Sequence, residues 1–518
     1  MQSTMKMNKI LTDRQKFCNL AEWIVIFLAT VICTFLSFLI FRNHFNDENS
    51  YPMRANILLH IVMVAIILGV GRLVGKLLNP HPKVCKWCST ILCIITLVYV
   101  GVFTFSYVSQ TLLFPSADAK ACYDIAIRFL NSEFGAVVPR DSYLSLWPYQ
   151  TGLIFILEKM MRIFHTSDLL LFQEMNCLYL LLIIVSGYCI VCMRGRRMEG
   201  RIIYLLLMAS YYPLLFSVST VYGDLPGLAW IMVSMTCYML YYKLDNNTLK
   251  YIAGIGFIVS TVLACIYKGN SLIYIVALLL ITFVQQFRKL DVKIVVIVCL
   301  ATILSISSTD ITQRYYEHYA GNICGKGMPT TGWLAMGLQY NGEEAIPGGW
   351  NGFHSNTFIA VGYDHEESDK IFKESIKDSL REFADRPGFA CEFFYNKILK
   401  QWANQTHGTF WGMNASYNTS RSQDAYWVRY IENTQYRELL NFMDYHESII
   451  YGIILIACFT LFVRRLKGQK IEWMYLLPIT TFIGGFLFSL IWEGQTDVVM
   501  MYPIMMLPIA VSIWSERE

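Results

Sequence analysis

Thr151-Gly-Leu-Ile-Phe-Ile-Leu-Glu-Lys-Met-Met-Arg-Ile-Phe164 is the stretch on which the threading of this chain turns. It is apolar and helical in period, but it is only 14 residues long and carries Glu158, Lys159 and Arg162. A membrane-crossing helix needs roughly 20 apolar residues, and charge inside the hydrocarbon is disfavoured. The segment therefore reads as an amphipathic helix in the outer interface, with Ile154, Phe155, Leu157, Met161 and Ile163 toward lipid or protein.

Parity makes this decision global. Twelve apolar runs of spanning length lie near 20–41, 55–75, 88–109, 174–193, 202–219, 224–242, 251–267, 271–287, 294–308, 447–463, 473–491 and 498–515. The clusters Lys6/Lys9/Arg14/Lys16, Arg72/Lys76/Lys83/Lys86, Arg194/Arg196/Arg197/Arg201, Lys243/Lys250, Arg288/Lys289/Lys293 and Arg464/Arg465/Lys467/Lys470 sit at alternate ends of those runs. Short basic loops stay cytoplasmic. Counting 151–164 as a span would put every later basic loop outside. The expected fold is thus an all-α polytopic membrane protein of about twelve transmembrane helices, with both termini cytoplasmic and two large extracytoplasmic loops, 110–173 and 309–446. The first run has no small-residue cleavage pattern, so it is expected to be a retained span in the cell membrane.

The expected divisions are an N-terminal two-span extension (1–87), a transmembrane core with the first external loop (88–308), the large external region (309–446) and a C-terminal three-span segment (447–518). The second loop is too long for a passive connector. Its 365–400 stretch is charged and helical in pattern, and Pro347-Gly348-Gly349 with Gly352 forms turns that present Trp350, Asn351 and His354.

Composition excludes several classes. Hydrophobic residues make up 55% of the 518 residues and charged ones only 15%, as expected of a bilayer-embedded chain. A net charge of +4 resides in the cytoplasmic loops and predicts no nucleic-acid partner. No Walker loop, dinucleotide-binding glycine turn or His-Glu-x-x-His is present, which leaves a nucleotide-driven pump or zinc protease without support. Cys85-x-x-Cys88 lacks the second ligand pair of a zinc site. Asn404, Asn414 and Asn418 match glycosylation acceptors, of use only in a eukaryotic host.

Ionisable residues gather at the outer rim: Asp118, Asp124, Arg140, Asp224, Lys268, Glu493 and Asp497. At mid-depth the spans carry almost no ionisable side chains, His60 toward the outer end of its helix being the main exception, which argues against ion-coupled transport. Asp118 opens the first loop at headgroup level, where partial desolvation raises a carboxyl pKa toward that of a general base; the alternative is a helix cap. Asp224 before Leu225-Pro226 carries an ordinary helix-start signal. Lys268 either meets an anion or snorkels to headgroups.

The order of these parts resembles the GT-C superfamily of membrane glycosyltransferases, near family 39 and the bacterial protein-mannosyltransferase-like group. The resemblance rests on Ala117-Asp118 opening the loop, Ala126, Gly135 and Tyr143-Leu144 followed by Trp147-Pro148-Tyr149-Gln150-Thr151-Gly152. Further matches are Val221-Tyr222-Gly223-Asp224-Leu225-Pro226-Gly227, Lys268-Gly269-Asn270, and Trp333-Leu334-Ala335-Met336-Gly337-Leu338 followed by Gly349-Trp350-Asn351. The resemblance implies GT-C architecture and transfer of a sugar from a polyprenyl-phosphate donor to an extracytoplasmic cell-wall polymer, glycolipid or protein. It implies Asp118 as base, with Asp124 in reserve because Ala119 stands where many members have Glu. Lys268 or Arg140 would meet the donor phosphate. Tyr149, Gln150, Asp224, Trp350, His354 and Glu493 would contact substrate. No cofactor or obligatory metal is implied, the lipid-linked sugar being a co-substrate. The competing reading is a transporter or flippase of polysaccharide or lipid-linked sugar.

Overall fold

The computed structural model describes residues 2–45, 51–194, 197–340, 346–410 and 436–516. The chain is almost wholly helical. Among the described residues the one sheet pairs two dipeptide strands, β1 (Asn43–His44) and β2 (Met53–Arg54), antiparallel between the first two helices.

Those helices, α1 (Gln2–Arg42) and α2 (Ile57–Leu78), precede α3 (Pro82–Thr111). Local chemistry explains their starts. The Asn56 side chain accepts from the amides of Leu58 and Leu59 to begin α2, and Pro82 fills the first turn of α3, where its missing amide hydrogen costs nothing. The first loop folds as α4 (Ala117–Leu130), α5 (Tyr143–Leu146) and α6 (Thr151–Phe164). The core continues with α7 (Leu169–Arg194), α8 (Met198–Ala209), α9 (Tyr212–Phe216), α10 (Asp224–Lys243), α11 (Asn247–Tyr267), α12 (Leu272–Arg288) and α13 (Val292–Ala320). The second region holds α14 (Thr331–Gly337), α15 (Phe353–Ala360), α16 (His365–Asp385) and α17 (Pro387–Trp402). The last three helices are Tyr436–Leu466, Trp473–Ile491 and Met501–Ser515, here α18, α19 and α20.

Among the described residues ten helices are long and apolar enough to cross a membrane. An eleventh candidate is α8 with the α9 turn, bent by 50°. Pro213 lies at the break, where it has no amide hydrogen to continue the ladder. The expected last span is shorter than its hydropathy suggested: residues 497–500 form a turn and α20 has only 15 residues, all of them buried except Met501. Two expected boundaries also move. α13 continues to Ala320 and α18 begins at Tyr436, so helix persists well past the apolar windows 294–308 and 447–463. The hydrogen-bond ladder does not stop where hydropathy falls, and charged residues such as Asp310 and Arg314 sit on helix that projects beyond the span.

α6 is a helix of the expected bounds and does not qualify as a span. Its buried face is turned to protein: Ile154, Leu157 and Met161 pack in a cluster with Phe129 of α4 and Tyr316 of α13, while Ile163 is exposed. Glu158 is buried on that face between Lys159, at 2.8 Å, and Arg162.

Between spans, apolar burial drives little association because lipid is equally apolar, so close approach has to supply the packing. Gly485 lies beneath the Tyr502 ring, 2.2 Å from where a Cβ would stand, and Gly187 beneath Tyr204 in the same manner. In the second region α16 starts at a capping Asp364 and ends before Pro387, which divides the charged 365–400 stretch into two helices.

Candidate functional site

Asp118 stands in the first turn of α4, directly after Ala117, whose φ of +46° lies in the left-handed region that an alanine adopts only at a cost of about 1–2 kcal/mol. The cap position belongs to Ser116, so capping is not the role of Asp118. Its carboxylate instead faces the hydroxyls of Tyr143 and Tyr222, which favour its ionised form. A capping box between Ser142 and Ser145 fixes α5 and with it Tyr143.

Tyr222-Gly223-Asp224 enters α10 against the turn after α11. The approach demands glycine: a Cβ on Gly223 would lie 2.0 Å from the Tyr267 carbonyl oxygen. That proximity brings Lys268 onto Asp224, with Nζ 2.9 Å from each carboxylate oxygen, and over the Tyr222 ring at 4.2 Å from its centre. Gln150 Nε2 donates to the Tyr222 hydroxyl at 2.6 Å. Tyr149 meets Trp333 edge-on at 5.8 Å, and Trp333 stacks on Trp492, next to Glu493. Asp118, Tyr149 and Asp497 retain accessible surface although protein surrounds each closely, so they line a recess open to solvent.

The charges act on one another. Burial raises the Asp118 pKa, opposed by the Tyr143 hydroxyl, the Lys268 charge and the Tyr222 hydroxyl. Burial pushes Glu493 up to about 7; the Gln495 amide, 2.9 Å away, works against this, while Asp497 and Asp118 reinforce it. Asp497 is raised by burial and by the Asp224 charge. Burial works to lower Lys268, but Asp224 and Asp497 outweigh it and the ammonium is retained. Lys397 of α17 joins from beneath: it is fully buried, donates to the Gly337 carbonyl at 2.5 Å and the Trp492 carbonyl at 2.7 Å, and is lowered to about 7 by desolvation, with Glu493 opposing.

Six residues singled out in the sequence therefore converge: Asp118, Tyr149, Gln150, Asp224, Lys268 and Glu493. Four do not. Asp124 is exposed and paired to Lys120 one turn back, and Arg140 is exposed on the first loop. Trp350 is 66% exposed, and His354 is buried behind Trp333, at 5.4 Å, with its pKa lowered to about 4 by desolvation. In each case the turn or loop was legible but the direction of the side chain was not. Tyr143, Tyr222, Asp497 and Lys397 belong to the site without having been assigned to it. The first two stand inside the motif stretches and Asp497 among the rim charges, whereas Lys397 carries no signal within its amphipathic helix.

Among the described residues no group of three or more His, Cys, Asp or Glu is placed to hold a metal ion. Cys85, of the Cys-x-x-Cys pair, donates to the Leu78 carbonyl at 3.0 Å. Asn404 is buried, so the folded chain does not offer it for glycosylation, and Asn414 and Asn418 lie outside the described residues. Glu22 and Glu447, at the ends of the apolar windows 20–41 and 447–463, are also buried inside candidate spans.

Chemically, the recess offers carboxyls with raised pKa beside one retained cation, with aromatic rings for stacking. No curated protein matches this chain, and no solved structure does. Residues 11–515 match the family described as "Conserved hypothetical integral membrane protein". The chain, whose described residues include ten helices long and apolar enough to cross a membrane, belongs to that family of integral membrane proteins.

Proposed function

We propose that this protein is an integral-membrane glycosyltransferase of GT-C type that moves a sugar from a polyprenyl-phosphate donor to an extracytoplasmic acceptor, a cell-wall polymer, glycolipid or protein. The observation that carries the reading is the convergence of Asp118 with the Lys268–Asp224 pair and Glu493 from separate parts of the chain. In this scheme Asp118 takes the proton of the acceptor hydroxyl, whose oxygen bonds to the anomeric carbon as the bond from that carbon to the phosphate oxygen breaks. The polyprenyl phosphate leaves with developing negative charge, which Lys268 offsets. Several carboxylates around one lysine would repel a phosphate if all were ionised. The raised pKa values of Glu493 and Asp497 relieve this, because such groups keep protons at neutral pH more readily than ordinary carboxyls.

The test is the purified chain in lipid vesicles with a panel of polyprenyl-phospho-sugars. Asp118→Asn is expected to lose transfer by about a hundredfold or more, with normal folding, as for removal of a general base. Unchanged transfer rejects the base. A second reading, transport of the lipid-linked sugar, is favoured by one observation, the ionisable groups buried near Glu447. It predicts movement of labelled donor across the bilayer without its consumption.

A further inference from the structure

Four of the nine histidines, His44, His60, His407 and His446, come together from four parts of the chain around two acids of α18, Asp444 and Glu447. His44 Nδ1 lies 3.2 Å and His60 Nε2 3.5 Å from Asp444 Oδ2. His60 Nδ1 is 2.7 Å from the Ser448 hydroxyl. His407 Nε2 stands 3.3 Å from Glu447 Oε1, yet among the described residues neither nitrogen of His407 and neither oxygen of Glu447 has a hydrogen bond of good geometry. His60, His407, Asp444, His446 and Glu447 are all buried. A structural ion pair at this depth would be tied up by further hydrogen bonds, because burying an acid and an imidazole without them is costly. Buried groups left incompletely bonded within a spanning helix are a mark of function.

The pair also has a mechanical outlet. His407 has φ of +49° and Gly408 φ of +73°, two successive left-handed residues, the first strained for a side chain with a Cβ. Gly408 is pressed against the last polar turn: a Cβ there would lie 2.8 Å from Thr496 Oγ1 and 3.9 Å from the Asp497 Cβ. One strained turn thus has Glu447 on one side and a carboxyl of the candidate site on the other.

We propose that Glu447 and His407, with Asp444, His60 and His44, form a second site, a buried proton-binding site whose load is felt at Asp497 through the His407–Gly408 turn. The groups facing it are His44 from β1, His60 from α2, Asp444, His446 and Tyr451 from α18, Tyr211 from the α8–α9 break, and Asp497 across Gly408. His446 is committed elsewhere, since its Nε2 donates to the Leu207 carbonyl at 3.0 Å. As pH falls, protons delivered from water bind to this set of buried acids and imidazoles. The inference depends on neither functional reading.

The test is proton uptake by the purified full chain in detergent, titrated from about pH 8 to pH 5, the range in which histidines change charge. The double variant His407→Asn/Glu447→Gln is expected to take up at least one proton fewer per chain than the wild type. Superimposable curves overturn the site. Acid-minus-neutral infrared difference spectra of the wild type serve if the double variant does not fold. A protonated carboxyl band that resists exchange in heavy water is expected, and its absence overturns the proposal. For the link, the uptake lost with His407→Asn/Glu447→Gln is expected to centre at a different pH in the Asp497→Asn background than in the wild type, because coupling between two sites is reciprocal. The same midpoint in both backgrounds removes the connection to the candidate site.

Discussion

Lys397 shows how much one side chain holds at this site. Its ammonium or amine ties the end of α14 to the turn that carries Trp492 and Glu493. Lys397→Met keeps the length and loses both bonds, leaving two buried carbonyls unsatisfied. The expected cost is about 2 kcal/mol or more, measured by thermal unfolding in detergent. Its titration has a defined sign. With a folded pKa lowered to about 7, the unfolded chain binds more protons between about 7 and the ordinary lysine value of 10.5, so stability rises with pH across that window. Glu493 acts the opposite way: its folded pKa is raised to about 7 from 4.5, so its contribution is present below that window and is lost as pH climbs through about 7. A melting temperature that falls toward neutrality and recovers in mild alkali is therefore expected. Glu493→Gln should remove the acid limb and Lys397→Met the alkaline one. Asp118 adds a kinetic counterpart: because its pKa is raised, transfer should fall on acidification at a higher pH than an ordinary carboxylate base would give.

The entry to α10 is the element on which the site's geometry rests. Gly223 lets that helix start against the Tyr267 carbonyl, and only this approach sets Asp224 on Lys268. Gly223→Ala meets backbone, which cannot swing aside as a side chain would. The expected result is overpacking of about 1–3 kcal/mol and loss of transfer together, whereas Gly269→Ala, with open space around it, should change neither. Comparing the two variants by unfolding and by vesicle assay checks the claim. α6 was legible from its length and charges, and its placement against protein follows from Glu158, which needs Lys159 and Arg162 beside it once buried. The ends of α13, α18 and α20 were not legible, because hydropathy reports where a helix meets lipid while its hydrogen bonds run on beyond that limit.

The sidedness of the whole chain has a native reporter. Of the three cysteines that fall in the expected external loops 110–173 and 309–446, Cys122 and Cys324 are buried and Cys391 of α17 is exposed. Cys299 is exposed on an apolar span, where a water-soluble reagent does not reach. An impermeant maleimide on intact cells is expected to label the protein, and Cys391→Ser to abolish that labelling. Labelling that appears only after the cells are opened would invert the arrangement and place the recess on the cytoplasmic side.

Read alone, the amino-acid order was enough to establish a helical membrane protein, the positions of its apolar segments and the presence of polar, motif-bearing ends. Each of these depends on local composition and periodicity, which neighbours in sequence carry by themselves. Folding in three dimensions selected Asp118, Asp224, Lys268 and Glu493 from the rim charges and left Asp124 and Arg140 outside. It also recruited Lys397 and assembled three distant histidines, His44, His60 and His407, on Asp444 and Glu447. Those choices depend on which helix ends pack together and which way each side chain turns, and a partner far along the chain leaves no imprint on the local pattern.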